Sequence, residues 1–271
     1  MTEVDEWIEL AKLSLASYSS PINHKKMSLL NAVLTSQNII HGSLGRGYCR
    51  VMSNDSSAVI IFRGTRECID WIISNVRCFP TSMHGPQDEH PLVHRGFQQA
   101  LYYEDKTTGT TALSSIFARI ERLLSSVDHI VVTGHSLGGA IATLFAVKLA
   151  LARPETRSRL KVVTFGAPAV GLGEFKSLVG RLDFPITRIV HANDAVPFAP
   201  PLFYQHVGRE YWLTEQGLFV DAGWLRRLPL ALRTPFSIKP DHSMARYVAA
   251  LYAHAGRPLP DSIKKRLNLQ K

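Results

Sequence analysis

The chain has 271 residues, of which 45% are hydrophobic and 20% are charged, a composition typical of a globular protein. This length can bury a large core and allows one large α/β domain or two small ones, of which we favour a single domain over residues 1–271. No apolar run approaches the ~20 residues that a membrane-spanning helix needs, so no transmembrane segment is expected. The net charge of +9 attracts anionic surfaces. The chain carries neither an aromatic–basic RNA motif nor a zinc finger, so no nucleic-acid partner is expected.

The N-terminal stretch and the cysteines bear on the compartment. The first ten residues, "MTEVDEWIEL", are acidic and contain no uninterrupted apolar segment, unlike a secretory signal. We therefore expect a cytoplasmic protein, with leaderless secretion as the alternative. The chain has an odd number of cysteines, and their spacing matches no zinc site. Cys49, Cys68 and Cys78 are therefore predicted to be reduced structural thiols, with a Cys68–Cys78 disulfide as the alternative.

Helical and extended patterns alternate along the chain. Residues 4–15 repeat apolar positions at helical spacing, and Thr2 with Asp5 forms a capping-box pattern before them. The predicted strands are 58–64, 129–134, 160–166 and 187–192. The other predicted helices are 113–127, a deeply buried 139–152, and a late helix through Met244, Tyr247, Val248 and Leu251. This alternation favours a mostly parallel sheet with helices on both faces, whose ligands bind beyond the carboxyl ends of the strands.

The stretch "VVTGHSLGGA" (131–140) places a serine between two glycines where a strand meets a helix. This G-x-S-x-G pattern is typical of a nucleophile elbow, a sharp turn that exposes the Ser136 hydroxyl. A Cβ at Gly134 or Gly138 would collide with the neighbouring strand or helix. The N-terminus of the following helix favours negative charge that develops at the turn. Ser136 is therefore the predicted nucleophile.

A serine nucleophile needs a base, and the base needs an acid that holds its tautomer. In this architecture the acid follows the serine and precedes the histidine. The downstream carboxylates include Asp183, Asp194 and Asp221. Asp194 is favoured because it directly follows the strand 187–192, whereas Asp183 precedes that strand and so lies at the wrong edge of the sheet.

The downstream histidines are His191, His206, His242 and His254. His242 is favoured as the base because it follows a proline-bearing loop and precedes a helix. His191 lies inside a strand, His206 follows Asp194 closely, and His254 falls on the surface of its helix.

Attack by Ser136 would create an oxyanion, which two hydrogen-bond donors should stabilise. One donor is the backbone N–H of Leu137, the residue after the nucleophile. The other is predicted in "IIFRGTRE", where Gly64 permits a turn and Thr65 offers both its N–H and its hydroxyl. Thr65 would also suit a helix N-cap, and the two roles are compatible.

Six motifs occur in the order found in class 3 lipases, the fungal-type triacylglycerol lipase family: "FRGT" (62–65), "VHRGF" (93–97), "GHSLGGA" (134–140), "TFGAP" (164–168), "NDAVP" (193–197) and "DHSMARY" (241–247). The resemblance spans roughly residues 55–250. It implies an α/β-hydrolase fold with Ser136, Asp194 and His242 as the triad, and Thr65 and Leu137 as the oxyanion hole. The family's secreted members carry a signal peptide and disulfides, which this sequence does not show.

Residues 66–76 place Cys68, Ile69, Ile72, Ile73 and Val76 on one face of a helix. In similar lipases a short amphipathic helix here covers the site as a lid, and an ordinary packed helix is the alternative. His84, Asp88, Glu89, His90 and His94 resemble a metal cluster, but Pro91 argues against the helix that would align them, so no metal is expected. The segment 223–233 mixes leucines with arginines and is expected to border the acyl pocket or to pack as a loop.

The candidate triad together with the resemblance to class 3 lipases therefore implies a serine lipase that hydrolyses acylglycerol esters through an acyl-enzyme and needs no cofactor. The expected partners are a lipid ester substrate and, transiently, a lipid–water interface. A phospholipase A-type enzyme or a short-chain carboxylesterase on the same fold is the alternative, and a non-catalytic lipid-binding module is a further one.

Overall fold

The computed structural model describes residues 2–19, 27–30, 32–41, 47–64, 79–85, 89–106, 108–200, 203–223 and 241–268. The helices are α1 (Glu3–Ala16), α2 (Arg95–Leu101), α3 (Ala112–Leu124), α4 (Leu137–Ala152), α5 (Gly173–Leu182), α6 (Met244–His254) and α7 (Asp261–Arg266). The strands are β1 (Ser28–Leu29), β2 (Ala32–Val33), β3 (Ser36–His41), β4 (Gly47–Ser53), β5 (Ser57–Phe62), β6 (Pro80–Ser82), β7 (Leu92–His94), β8 (His129–His135), β9 (Leu160–Phe165), β10 (Ile186–His191), β11 (Arg209–Thr214) and β12 (Gly217–Val220).

The central sheet has eight strands in the order β12-β11-β10-β9-β8-β5-β4-β3. Strands β5, β8, β9, β10 and β11 run parallel to one another, whereas β3, β4 and β12 pair antiparallel with their neighbours. The four buried strands predicted from the sequence are β5, β8, β9 and β10, four of the five parallel strands, and β11 was not among the predicted strands. Because these strands run in one direction, their carboxyl ends meet at one edge of the sheet. The expected α/β-hydrolase fold, with its mostly parallel central sheet, is confirmed.

Helices cover both faces of the sheet. On one face α2, α3, α4 and α5 bury a core that contains Phe62, Phe97 and Phe145. On the other face α1, α6 and α7 bury a second core around Trp7 and Tyr247. Helix α4 is buried at every position from Leu137 to Ala150, as its almost wholly apolar sequence predicts.

Helix α1 begins at the predicted capping box. The Thr2 side chain accepts from the Asp5 backbone N–H, and the Asp5 carboxylate accepts from the Thr2 backbone N–H. The helix packs against α6 and ends at Ala16. Tyr18, two residues later, contacts His135 at the carboxyl end of β8 through its hydroxyl.

Two other expectations from the sequence concern cysteines and membrane spans. Cys49 is a buried free thiol, and burial raises its pKa well above the ordinary value, whereas Cys68 and Cys78 lie outside the described residues. Among the helices described here, none combines the length and the apolar character needed to cross a membrane.

Lys148 is a cation buried within α4. Its Nζ donates to the backbone carbonyl of His84 and to the Tyr102 hydroxyl at 3.3 Å. Burial lowers the pKa of Lys148 from 10.5 to about 8. The unfolded chain keeps the ordinary pKa, so between these two values it binds more protons than the folded protein. The protein must therefore become more stable as the pH rises through this window.

We expect the free energy of unfolding to rise between pH 7.5 and 9.5 by about 2 kcal/mol more in the unaltered protein than in Lys148→Met. Urea unfolding at a series of pH values measures this difference, because the other titrating groups cancel between the two proteins. Lys176→Met, which removes an exposed lysine, is the control and should give a curve parallel to that of the unaltered protein. Parallel curves for Lys148→Met as well would contradict the lowered pKa.

Candidate active site

The turn between β8 and α4 holds Ser136 in the unusual backbone conformation φ 61°, ψ −131°. The Ser136 backbone N–H donates to the Phe165 carbonyl of β9 at 2.9 Å, which ties the turn to the neighbouring strand. A Cβ at Gly134 would lie 2.5 Å from the Gly138 backbone, and a Cβ at Gly138 would collide with the Phe62 carbonyl. The glycines of the motif are therefore required by close backbone approach, as predicted.

His242 lies directly beside the Ser136 side chain. Its Nε2 is 2.7 Å from Ser136 Oγ, and its Nδ1 is 2.8 Å from Asp194 Oδ2. Asp194 Oδ2 can only accept from Nδ1–H, so Nε2 is the acceptor for the serine hydroxyl. The structure thus brings together the three predicted residues in the orientation that a serine nucleophile requires.

Asp194 follows β10 at the carboxyl edge of the sheet and is 1% exposed. Its Oδ2 also accepts from the Tyr247 hydroxyl at 2.6 Å, and its Oδ1 accepts from the Val196 backbone N–H at 2.9 Å. A Cβ at Gly166, which has a φ of +55°, would lie 2.5 Å from Asp194 Oδ2. Three donors therefore compensate the burial of this carboxylate, and a bare glycine leaves room for it.

The other carboxylates and histidines considered from the sequence lie elsewhere. Asp183 caps the C-terminus of α5 with a left-handed backbone, and Asp221 Oδ1 accepts from the backbone of Glu210. His206 Nε2 donates to the Pro197 carbonyl, and His254 is exposed at the end of α6. None of these four side chains has a described hydrogen bond to Ser136.

His191 bonds to the backbone beside His242 and has no described hydrogen bond to Ser136. Its Nδ1–H donates to the Asp241 carbonyl at 3.1 Å, and the Asn193 backbone N–H donates to Asp241 Oδ2 at 3.3 Å. These bonds join the end of β10 to the residue before His242. The segment that carries the imidazole is thereby anchored to the strand that carries the carboxylate.

The predicted oxyanion donors are only partly described. Leu137 is the first residue of α4, and its N–H is one of the amides that the helix's own hydrogen bonding leaves available. Thr65 lies outside the described residues, as do the lid residues Cys68, Ile69, Ile72 and Ile73 and most of the segment 223–233. Gly64 is the last described residue before Thr65 and lies next to the elbow. A Cβ at Gly64 would lie 2.6 Å from the His135 carbonyl oxygen.

Sequence reasoning did not find the roles of two side chains at this site. Tyr247 was expected only as a core residue of the late helix, yet its hydroxyl bonds to Asp194. His135, the variable residue of the G-x-S-x-G pattern, has its ring centroid 4.6 Å from that of His242. Both residues stand within the motifs that carry the resemblance to class 3 lipases. A polar side chain inside such a motif was the sequence signal that could have pointed to these roles.

The histidine-rich stretch 84–94 has local structural roles. His94 Nδ1 accepts from the backbone N–H groups of Gly96 and Phe97 and so caps α2, and burial lowers its pKa to about 4. His90 Nδ1–H donates to the Met83 carbonyl at 3.0 Å. Over the ranges that the structure describes, which leave out Asp88, no group of three or more such side chains is arranged to hold a metal ion.

A cavity of about 1010 Å³ opens beside α5 and strands β10 and β11. Its walls include Phe184, Ile186 and Phe198, and the ion-paired residues Arg188 and Glu210 also line it. Neither Ser136 nor His242 belongs to its described lining. The hydrogen-bonded side chains, and not this cavity, therefore identify the candidate active site.

Comparison with known proteins gives a family and a fold. The chain matches the family Lipase (class 3) over residues 59–204, more than half of its length. The lipase of Rhizomucor miehei is 32% identical over 166 residues, which cover 60% of this chain and 43% of that protein. Phospholipase A1-II 2 of Oryza sativa subsp. indica is 29% identical over 194 residues, which cover 60% of this chain and 48% of that protein. The chain spans less than half of the length of both curated relatives.

Solved structures extend the similarity over most of the chain. The triacylglyceride lipase of Rhizomucor miehei superposes with a TM-score of 0.65 at 25% identity, covering 89% of this chain and 92% of that one. A lipase from Rhizopus microsporus var. chinensis gives a TM-score of 0.68 at 23% identity, covering 89% and 87%, and shows the shared fold.

Proposed function

Because the chain belongs to the class 3 lipase family, we propose that it is a serine hydrolase that cleaves the carboxylic ester bonds of acylglycerols. The observation that carries this proposal is the unbroken hydrogen-bond chain from Ser136 Oγ through His242 to the buried Asp194, with distances of 2.7 and 2.8 Å. This series of hydrogen bonds ends at the nucleophile elbow, where the serine hydroxyl lies at the carboxyl edge of the sheet.

In the first half of the reaction, Ser136 Oγ attacks the ester carbonyl carbon while His242 Nε2 takes the hydroxyl proton. The imidazolium is stabilised by Asp194, which already accepts from His242 Nδ1–H. The carbonyl oxygen becomes negatively charged and receives a hydrogen bond from the Leu137 N–H at the start of α4. Such a donor lowers the barrier by roughly 3 kcal/mol. Thr65 is the proposed second donor.

In the second half, His242 Nε2–H protonates the departing alcohol, and the acyl group stays on Ser136 Oγ. A water molecule then gives its proton to His242 and attacks the acyl carbon. Collapse of this second tetrahedral intermediate returns the proton to Ser136 and releases the fatty acid. Besides the ester and water, the proposed steps use side chains and backbone amides of the protein.

The substrate class rests on the relatives and on the buried position of the nucleophile. The Rhizomucor miehei relatives are named as lipase and triacylglyceride lipase. Ser136 has no exposed surface, so a substrate must displace the groups that cover it. Contact with a lipid–water interface would favour such a displacement, because apolar groups can leave the protein for lipid without entering water.

A phospholipase A-type activity is the second candidate. The rice relative is named as a phospholipase A1, and so is a chloroplastic protein of Arabidopsis thaliana that is 32% identical over 184 residues. The net charge of +9 also favours an anionic lipid surface. The two candidates share the Ser136 chemistry and differ only in the alcohol that leaves.

Covalent labelling and hydrolysis together test the proposed function. We expect a fluorophosphonate to react once per chain at Ser136, identified by mass spectrometry of the modified peptide, and to abolish ester hydrolysis in proportion to labelling. Rates on emulsified long-chain triacylglycerol, phosphatidylcholine and a soluble short-chain ester, taken below and above saturation, should be highest on triacylglycerol. A higher rate on phosphatidylcholine would establish the second candidate. If the protein is not labelled, a non-catalytic lipid-binding role replaces both.

A further inference from the structure

His135, next to the proposed nucleophile, is bonded to the residue that carries the proposed base. Its Nε2 lies 2.8 Å from the backbone carbonyl oxygen of His242. A carbonyl oxygen only accepts hydrogen bonds, so His135 Nε2 carries the proton and donates. The bond joins positions 107 apart in sequence and attaches the peptide group of His242 to the elbow itself.

The other ring nitrogen of His135 is held by Tyr18. The Tyr18 hydroxyl lies 2.7 Å from His135 Nδ1. Since Nε2 carries the proton in the neutral ring, Nδ1 is the acceptor and the hydroxyl donates to it. One phenol and one carbonyl therefore determine the tautomer of His135, and the histidine is 5% exposed.

Tyr18 also contacts the turn that precedes Thr65. A Cβ at Gly64 would collide with the Tyr18 hydroxyl, and the Arg63 guanidinium lies 5.7 Å from the centroid of the Tyr18 ring. The residue follows α1, which packs on α6, the helix that begins just after His242. Tyr18 thus lies between the loop of the predicted oxyanion hole and the histidine of the elbow.

The neutral state of His135 matters because a positive charge develops beside it. Burial, together with the nearby His242, lowers the pKa of His135 well below its ordinary value. During the proposed reaction His242 becomes an imidazolium 4.6 Å away, ring centroid to ring centroid. A charged His135 would oppose that step, whereas the hydrogen bond from Tyr18 occupies the lone pair that a proton would need.

From these contacts we infer that Tyr18 and His135 are a positioning pair for His242: Tyr18 holds His135 neutral and in one tautomer, and His135 holds the His242 backbone in line with Ser136. This inference rests on the proposed function, since it assigns the pair to the turnover of Ser136 and His242. Neither side chain contacts the Ser136 hydroxyl through a described hydrogen bond, and so both act through His242. A shift of about 1 Å in a reacting group can lower a rate by about 100-fold, so loss of this support should be measurable.

Tyr18→Phe is the sharpest test, because it removes one oxygen atom and leaves the ring. On a soluble p-nitrophenyl ester we expect kcat to fall by about 5- to 20-fold with KM changed less than about 2-fold. The acid limb of the pH–rate profile should move to higher pH, because without the Tyr18 donor His135 takes a proton more readily. Tyr252→Phe, which removes a hydroxyl from a partly buried ring in the same core, is the matched control and should change neither quantity.

Two substitutions at His135 separate positioning from packing. His135→Gln keeps an N–H near the Nε2 position and should retain several-fold more activity than His135→Leu, which has no donor for the His242 carbonyl. Fluorophosphonate titration counts the competent sites in each preparation, so that kcat is expressed per labelled chain.

An unchanged kcat per labelled chain in Tyr18→Phe would overturn the inference, as would equal activities of His135→Gln and His135→Leu. A loss of activity explained wholly by fewer labelled chains would also overturn it, because that result indicates a folding role. Absence of labelling in the unaltered protein would instead refute the proposed function on which the inference rests.

Discussion

Ser136→Ala is expected to lower kcat for ester hydrolysis by about 10⁶-fold, to the level left by binding and the oxyanion donors alone. The change removes only the oxygen that would attack the ester. The backbone bond from Ser136 to Phe165 does not involve the side chain, so the turn at φ 61° should persist. Initial rates on a soluble ester, with fluorophosphonate labelling in parallel, measure the loss.

The control for this substitution is Ser177→Ala on α5, where, within the described part of the chain, the hydroxyl donates to the Gly173 carbonyl of its own helix. It should retain full activity and full labelling. Residual hydrolysis of more than about one per cent in purified Ser136→Ala would show that another group performs the attack, and the proposed mechanism would have to be abandoned.

Asp194→Asn should lower kcat by about 10⁴-fold while the fold remains intact. The Val196 backbone N–H would hold the amide oxygen of the new side chain at the position of Oδ1, which places the NH₂ group opposite His242 Nδ1. An NH₂ group donates, so Nδ1 would have to accept and the proton would move to Nε2. In that tautomer Nε2 donates to Ser136 Oγ and cannot take its proton.

Asp183→Asn provides a matched control, since Asp183 is the neighbouring carboxylate at the opposite end of β10. It should leave kcat within about 2-fold of the unaltered protein. Circular dichroism and thermal unfolding would confirm that Asp194→Asn is folded. If Asp183→Asn were the inactive variant, the acid would have been assigned to the wrong edge of the sheet.

Much of the fold and of the candidate site is encoded in short stretches of sequence. Continuous apolar runs of β-branched residues predicted four of the five parallel strands, and the almost wholly apolar α4 was correctly expected to be deeply buried. The glycines around Ser136 predicted the sharp turn, and position after a strand favoured Asp194. These features depend on neighbours within a few residues, and a local pattern is therefore sufficient to predict them.

Other features were decided only by the tertiary structure. The antiparallel pairing of β3, β4 and β12 depends on which edge of the sheet each strand joins. The contact of Tyr247 with Asp194 spans 53 positions of sequence, and that of Tyr18 with His135 spans 117. Thr65 and the lid residues stay predictions, since they lie outside the described part of the chain. Local sequence determines which residues prefer burial, a turn or a helix. Strand order and helix packing determine which distant polar groups meet, because those depend on burying the whole core at once.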